Sequence, residues 1–132
     1  MAGKIIADTL ETGAGADIAT SYVVNGSAKA WINYDGSSVT DPASLTGVNG
    51  SFNISSVLDN TTGDHSPSLT NAMSNSNYSA CSNIQENFMS NAHNVRVSSS
   101  SFRQYLFYVN HPGSNNPAVD TQADTSIHGD LA

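Results

Sequence analysis

Basic side chains are scarce in this sequence, which holds four lysines and arginines against eleven aspartates and glutamates in 132 residues. The formal net charge is −7, so the chain has no basic stripe with which to neutralise nucleic-acid phosphates. Charged residues amount to 11%, against about 25% in an ordinary globular domain. The polarity is neutral instead, because serine, threonine and asparagine together supply 46 residues. We therefore expect no nucleic-acid partner.

Cysteine is almost absent as well, because Cys81 is the single one in the chain and no internal disulfide can form. Cys81 lies in an alternating segment without the elbow motif of a nucleophile, so we predict no catalytic residue and no enzymatic activity. None of the four histidines has metal-ligand spacing to another histidine or to the cysteine, and we predict neither a metal nor another cofactor. No apolar run approaches the roughly 18 residues of a spanning helix, and we predict no membrane insertion.

Alternation of apolar and polar residues is the clearest pattern that is present. In segment 27–34, Ile32 and Tyr34 point to one side and Trp31 to the other, which predicts a strand with two distinct faces. Further segments of this kind are separated by turn-forming residues at intervals of roughly 8–12 residues. They lie at 51–58, 65–73, 78–83, 94–101, 102–110 and 125–131. We predict an all-β protein, with an antiparallel β-sandwich or jelly-roll-like domain over residues 27–132.

Details of these segments give more specific predictions. Phe52 and Ile54 should share one face of the strand 51–58. Pro67 lacks an amide donor and should restrict its strand to a sheet edge or a bulge. Residues 59–64 have the composition of a hairpin turn rather than the ligand spacing of a calcium loop. The run 105–109 is apolar on both faces, so its strand should be central in a sheet.

Residues 1–26 differ from the rest of the chain, since they have too few apolar anchors to close a core of their own. We predict that they form an extended N-terminal arm, which packs on a neighbouring chain or on the domain itself. The residues predicted for the core or for subunit contacts are Ile5, Ile6, Leu10, Trp31, Tyr34, Phe52, Ile54, Tyr105 and Phe107. A sugar-binding platform is an alternative for Trp31 and the tyrosines, because aromatic faces stack on carbohydrate while side-chain amides bond its hydroxyls.

Two stretches of the chain carry a resemblance to a known group of proteins. The first is Gly26–Gly36, with the sequence GSAKAWINYDG, and the second is Gly50–Asn60, with the sequence GSFNISSVLDN. The second continues through the TGD at 62–64 and the TNAM at 70–73 to the NY at 77–78, and the chain closes on GDLA. Together they resemble tail-fibre-like and other appendage proteins of tailed bacteriophages, marine ones included, over about half of the chain and in the same order. The segments 65–69, 83–101 and 111–118 depart from that pattern.

The resemblance implies a structural virion protein that forms a surface appendage, such as a short fibre or knob subunit. It implies a homotrimer, joined to other virion proteins through the N-terminal arm and displayed on the particle surface. Host contact would come from the turns, with Asn60, Thr61, Asp64, His111, Asn115 and Asn116 as candidate residues. A capsid decoration protein and a carbohydrate-binding, receptor-reading module remain open as alternatives.

Overall fold

The computed structural model describes residues 7, 9–11, 13, 15, 17–85, 90–108 and 117–132. Five residues named above as contact candidates lie outside the described residues, namely Ile5, Ile6, His111, Asn115 and Asn116.

The N-terminal region contains a small hairpin and a short helix. Strands β1 (Thr9–Glu11) and β2 (Asp17–Ala19) pair antiparallel, and helix α1 (Thr20–Gly26) follows directly. The helix was not expected from the sequence, which contains Gly26 and two β-branched valines within its seven residues. These elements lie outside the two larger sheets.

Eight further strands form two antiparallel sheets of four strands each. They are β3 (Ala30–Asp35), β4 (Val48–Phe52), β5 (Ile54–Thr61), β6 (Asp64–Leu69), β7 (Ser79–Ile84), β8 (Ser90–Arg96), β9 (Phe102–Tyr108) and β10 (Gln122–His128). The first sheet has the order β4-β3-β10-β7 and the second has the order β5-β6-β9-β8. The predicted all-β fold is confirmed as an antiparallel sandwich, and β9 lies inside its sheet as its apolar run required.

One core lies between the two sheets, because alternate residues of each strand point inward. Tyr34 and Ile54 are buried in it, as the sequence predicted. The other apolar members of the core are Ala30, Ile32, Val39, Val57, Leu69, Met73, Tyr78, Ile84, Phe102, Leu106, Ala123 and Ile127.

A polar bridge crosses this core and joins the sheets. The Tyr34 hydroxyl on β3 donates to Gln104 Oε1 on β9 at 2.7 Å. The Gln104 amide nitrogen donates in turn to Ser82 Oγ at 2.9 Å and to Thr125 Oγ1 at 2.8 Å, both on the first sheet. Burial raises the pKa of the Tyr34 hydroxyl above its ordinary value, and Asp120 and Asp64 add to that effect. The hydroxyl therefore stays protonated and keeps donating.

The chain crosses from the first sheet to the second at Asn53, and the prediction for segment 51–58 is wrong there. Asn53 adopts a positive φ of 57°, a conformation that asparagine tolerates better than most residues. Its side chain holds the bend by donating to the carbonyls of Lys29 and Asn71, both at 3.1 Å. Phe52 consequently ends β4 with an exposed ring, whereas Ile54 starts β5 in the core.

The edge alternative predicted for Pro67 is wrong, because β6 is an inner strand. Pro67 pairs with Val57 of β5, on a ladder that contains two register shifts. On the other side, β6 pairs with β9 at Asp64 and His65, and the ladder resumes only at the bridge from Ser68 to Ser101. The missing amide of proline is tolerated because the ladder to β9 is already interrupted beside it.

Candidate functional site

The outer face of the first sheet carries an exposed aromatic pair. Trp31 on β3 is 44% exposed, and Phe52, its antiparallel partner on β4, is 54% exposed. Full burial of an aromatic side chain covers about 150–250 Å². Covering the exposed part of the indole would therefore contribute about 2 kcal/mol. An exposed patch that contains two neighbouring aromatic residues is a candidate contact surface.

A row of polar side chains runs beside the tryptophan across the same face. Asn33 on β3 lies opposite Asp124 on β10, and Asp124 lies opposite Asn83 on β7. The amide nitrogen of Asn33 donates to Asp124 Oδ1. Asn33 Oδ1 accepts from Asn49 Nδ2 at 2.8 Å and from Gln122 Nε2 at 3.1 Å. These bonds fix the positions of the carboxylate and the three amides, of which Asp124 and Asn33 line the same depression as Trp31.

Gly50 gives the face its shape by keeping space beside the indole. A methyl group added at Gly50 would lie 3.3 Å from Trp31 Cζ3 and 3.4 Å from Cη2, so any other side chain would press on the ring. A shallow, open depression of about 470 Å³ lies next to it, with Trp31, Asn33, Asp124 and Asn83 in its lining. We call this surface, defined by Trp31, Phe52, Asn33, Asp124 and Asn83, the Trp31 face.

The charge on the Trp31 face is negative. Among the described lysine and arginine side chains, the Lys29 ammonium donates hydrogen bonds to Val24 O and to Ser27 Oγ. The Arg103 guanidinium pairs with Asp64 on the second sheet. Neither is aimed at Asp124. The face thus offers a flat ring, amides and one carboxylate, which suit an uncharged polar ligand better than an anion.

The other predicted contact residues lie apart from this face. Leu10 is exposed on β1, within the N-terminal region. Tyr105 and Phe107 are half-buried on the outer side of β9, with the Arg103 guanidinium 5.1 Å from the centre of the Tyr105 ring. Trp31, Phe52 and Leu10 are therefore not core residues, and their part in subunit contacts stays a prediction.

The hairpin of β5 and β6 corrects one host-contact candidate. Asn60 and Thr61 are exposed at the end of β5, as a contact role requires. Asp64, however, is buried, and its carboxylate takes two hydrogen bonds from the Arg103 guanidinium. Those bonds hold the pKa of Asp64 below its ordinary value. The sequence pattern missed this because the partner lies 39 positions away along the chain.

His65 is a second buried ionisable group that the sequence did not reveal. It is fully buried, with its ring edge-on to Tyr34 at 5.3 Å between centroids. Its Nε2 lies 3.6 Å from Asp120 Oδ1, beyond hydrogen-bond distance. Burial lowers the pKa of His65, although Asp120 opposes that shift. The neutral ring acts as part of the core.

No group of three or more histidine, cysteine, aspartate or glutamate side chains is placed to bind a metal within the described part of the chain. The described residues also contain no helix that is long and apolar enough to cross a bilayer.

Sequence reasoning partly anticipated the Trp31 face. The alternation in segment 27–34 already places Asn33 on the same side as Trp31. Asp124 and Asn83 could not be added, because the strand pairings Asn33–Asp124 and Asp124–Asn83 span 91 and 41 residues and are not encoded in any local pattern.

Comparisons with known proteins add no relative, since no family model, curated protein or solved structure matches this chain.

Proposed function

We propose that this protein is a non-enzymatic recognition module on the surface of a tailed-phage virion, and that it contacts the host cell through the Trp31 face. The observation that carries the recognition role is the exposed indole next to a pre-arranged polar row. Leaving such a ring in water costs stability, whereas a ligand or partner that covers it regains that free energy. The virion setting rests on the sequence resemblance.

The stretches that carry the resemblance overlap with part of the Trp31 face. The two similar stretches contain β3, the end of β4 and most of β5, which supply several core residues and also Trp31, Asn33 and Phe52. The departing segment 65–69 forms most of β6, the segment 83–101 includes β8, and the segment 111–118 precedes β10. What resembles phage appendages is thus the framework together with the aromatic part of the Trp31 face.

The N-terminal region is the proposed attachment element. Among its described residues five apolar side chains are exposed, namely Leu10, Ile18, Tyr22, Val23 and Val24. We propose that these side chains are covered in a homotrimer and at its junction with another virion protein. Trp31 then stays free to face outward.

Binding to intact cells tests the recognition role. Fluorescently labelled protein is incubated with a panel of bacterial strains, and bound fluorescence is compared for the wild type, Trp31→Ala and the matched control Val95→Ala. Val95 is exposed on β8, in the other sheet. We expect the wild type and Val95→Ala to bind the same strains and Trp31→Ala to lose at least tenfold in binding. Equal binding by all three, or binding to no strain, would overturn the proposal.

Self-association through the Trp31 face is the second candidate role, favoured by two exposed aromatic residues, Trp31 and Phe52, that are cross-strand partners. Light scattering distinguishes the two roles. If the mass of a trimer falls to that of a monomer in Trp31→Ala, the face is a subunit contact. If the mass is unchanged in Trp31→Ala and falls after removal of residues 1–26, assembly runs through the N-terminal region. A capsid decoration protein would keep the same face and differ only in its place on the particle.

A further inference from the structure

We propose that the ligand of the Trp31 face is an uncharged pyranose of a glycan, stacked on the indole and hydrogen-bonded by the polar row. This inference rests on the proposed host-recognition role and names its ligand class. Three features of the face lead to it: the shape of the surface, the hydrogen-bonding groups that remain, and the charge.

The shape fits a flat ring. Trp31 is exposed beside a shallow depression, and Gly50 leaves the edge of the indole clear on the β4 side. A pyranose presents C–H groups on its faces, which pack on an aromatic surface, and hydroxyls around its rim. A ring stacked on Trp31 would therefore direct part of its rim toward β10, where Asp124 lies.

The polar row keeps suitable groups for such a rim. Asp124 uses Oδ1 for the Asn33 amide, and its Oδ2 can accept from a sugar hydroxyl. Asn49 and Gln122 each spend one N–H on Asn33 Oδ1, which leaves each of them an amide oxygen and a second N–H. Hydroxyls donate and accept at once, so they can satisfy donors and acceptors in alternation. Asn33, with both ends of its amide engaged, acts as the positioning residue of the row.

The charge selects against other occupants. A phosphate or carboxylate ligand would meet Asp124 without a lysine or arginine directed at it among the described side chains. A protein partner would have to bury that carboxylate, and the centres of protein interfaces are depleted of charged residues. A neutral sugar avoids both costs, because it offers hydrogen bonds to the carboxylate and leaves it partly solvated.

The single tryptophan of the chain makes the test direct, since its emission reports on this face alone. Purified full-length protein is titrated to 50 mM with methyl α-glucoside, methyl α-galactoside, methyl α-mannoside and N-acetylglucosamine, and with glucuronate as the anionic comparison. We expect at least one neutral sugar to shift the Trp31 emission saturably, with glucuronate at least tenfold weaker. Asp124→Ala should weaken the response at least tenfold, whereas Val95→Ala should match the wild type.

Other outcomes overturn the inference. No response to any neutral sugar, a response that Asp124→Ala retains, or glucuronate binding as tightly as the neutral sugars would each refute it. An emission shift that follows protein concentration without sugar would show that a second copy covers the face. The cell assay separates the two levels of the argument. If Trp31→Ala abolishes cell binding and no sugar competes, recognition stands and the glycan assignment fails. If the wild type binds no cells, the recognition role itself fails.

Discussion

The bridge between Tyr34 and Gln104 is the part of the core whose energetics the structure defines most sharply. Substituting Tyr34→Phe removes the hydroxyl that donates to Gln104 Oε1 and leaves that oxygen buried without its donor. A buried acceptor stranded in this way costs about 1–3 kcal/mol. In Gln104→Met the Tyr34 hydroxyl is stranded instead, while Ser82 and Thr125 still hydrogen-bond each other at 2.8 Å. We expect a loss of about 2–4 kcal/mol for that variant, because the amide also supplied two donors.

The double variant is the informative one, since it removes both partners at once. No polar group of the Tyr34–Gln104 pair then remains stranded, so the combined loss should be smaller than the sum by about 1–2 kcal/mol. Urea denaturation followed by circular dichroism measures each free energy of unfolding, and each kcal/mol should move the melting temperature by about 3–5 °C. Tyr105→Phe, on the outer side of β9, is the matched control and should change little. A loss under about 0.5 kcal/mol for Tyr34→Phe, or strict additivity in the double variant, would refute the bridge.

Three further predictions concern other parts of the molecule. Gly63 has a φ of 68°, and a methyl group added there would lie 2.5 Å from the Leu106 carbonyl oxygen. In urea denaturation, Gly63→Ala should therefore lower the free energy of unfolding by at least about 2 kcal/mol. Gly13→Ala is the control and should not lower it, because no atom beyond the neighbouring residues lies within 4 Å of a methyl group at that position. Because burial lowers the pKa of His65 in the folded protein, the imidazole of the unfolded chain takes up a proton first, below about pH 6.5. The free energy of unfolding should therefore fall by up to about 1.4 kcal/mol per pH unit as the pH drops below that value. In His65→Leu this pH dependence should be absent between about pH 7.5 and 5.5. Deletion of residues 1–26 should leave a folded sandwich by circular dichroism and reduce the mass in light scattering to one subunit; an unchanged mass would contradict the attachment role.

Period-two alternation was enough to predict the fold class and several core residues. It located Tyr34 and Ile54 in the core, because burial of one face is a local property of a strand. It failed at Phe52, since the change of sheet depends on the positive φ of Asn53 and on hydrogen bonds to Lys29 and Asn71. Whether a strand continues through such a bend is decided by contacts distant in sequence.

Some residues of the candidate site could be predicted from local sequence, and others depend on strands that are distant in sequence. The exposed side of β3 could be recognised from sequence, but the hydrogen-bonding groups beside it come from other strands. The turn-like sequence around Asp64 suggested an exposed side chain. In the structure Asp64 is buried, and its carboxylate pairs with Arg103 on β9. Ion pairs and polar rows formed across strands follow from register, and register is fixed by the whole sheet.

The residues of the Trp31 face come from different parts of the sequence, and this bears on which sugar the face would bind. Trp31, Asn33 and Gly50 lie in the stretches on which the proposed resemblance to phage appendage proteins rests, whereas Asn83 and Asp124 lie outside them. Stacking on an indole discriminates poorly between sugars, since most pyranoses present a C–H face. Hydrogen bonds discriminate strongly, because a stranded polar group is costly. Under the proposed function, the resembling framework would supply affinity for glycans in general. The side chains of β7 and β10 would set which sugar is bound, so exchanges at positions 83 and 124 should alter specificity while leaving the fold intact.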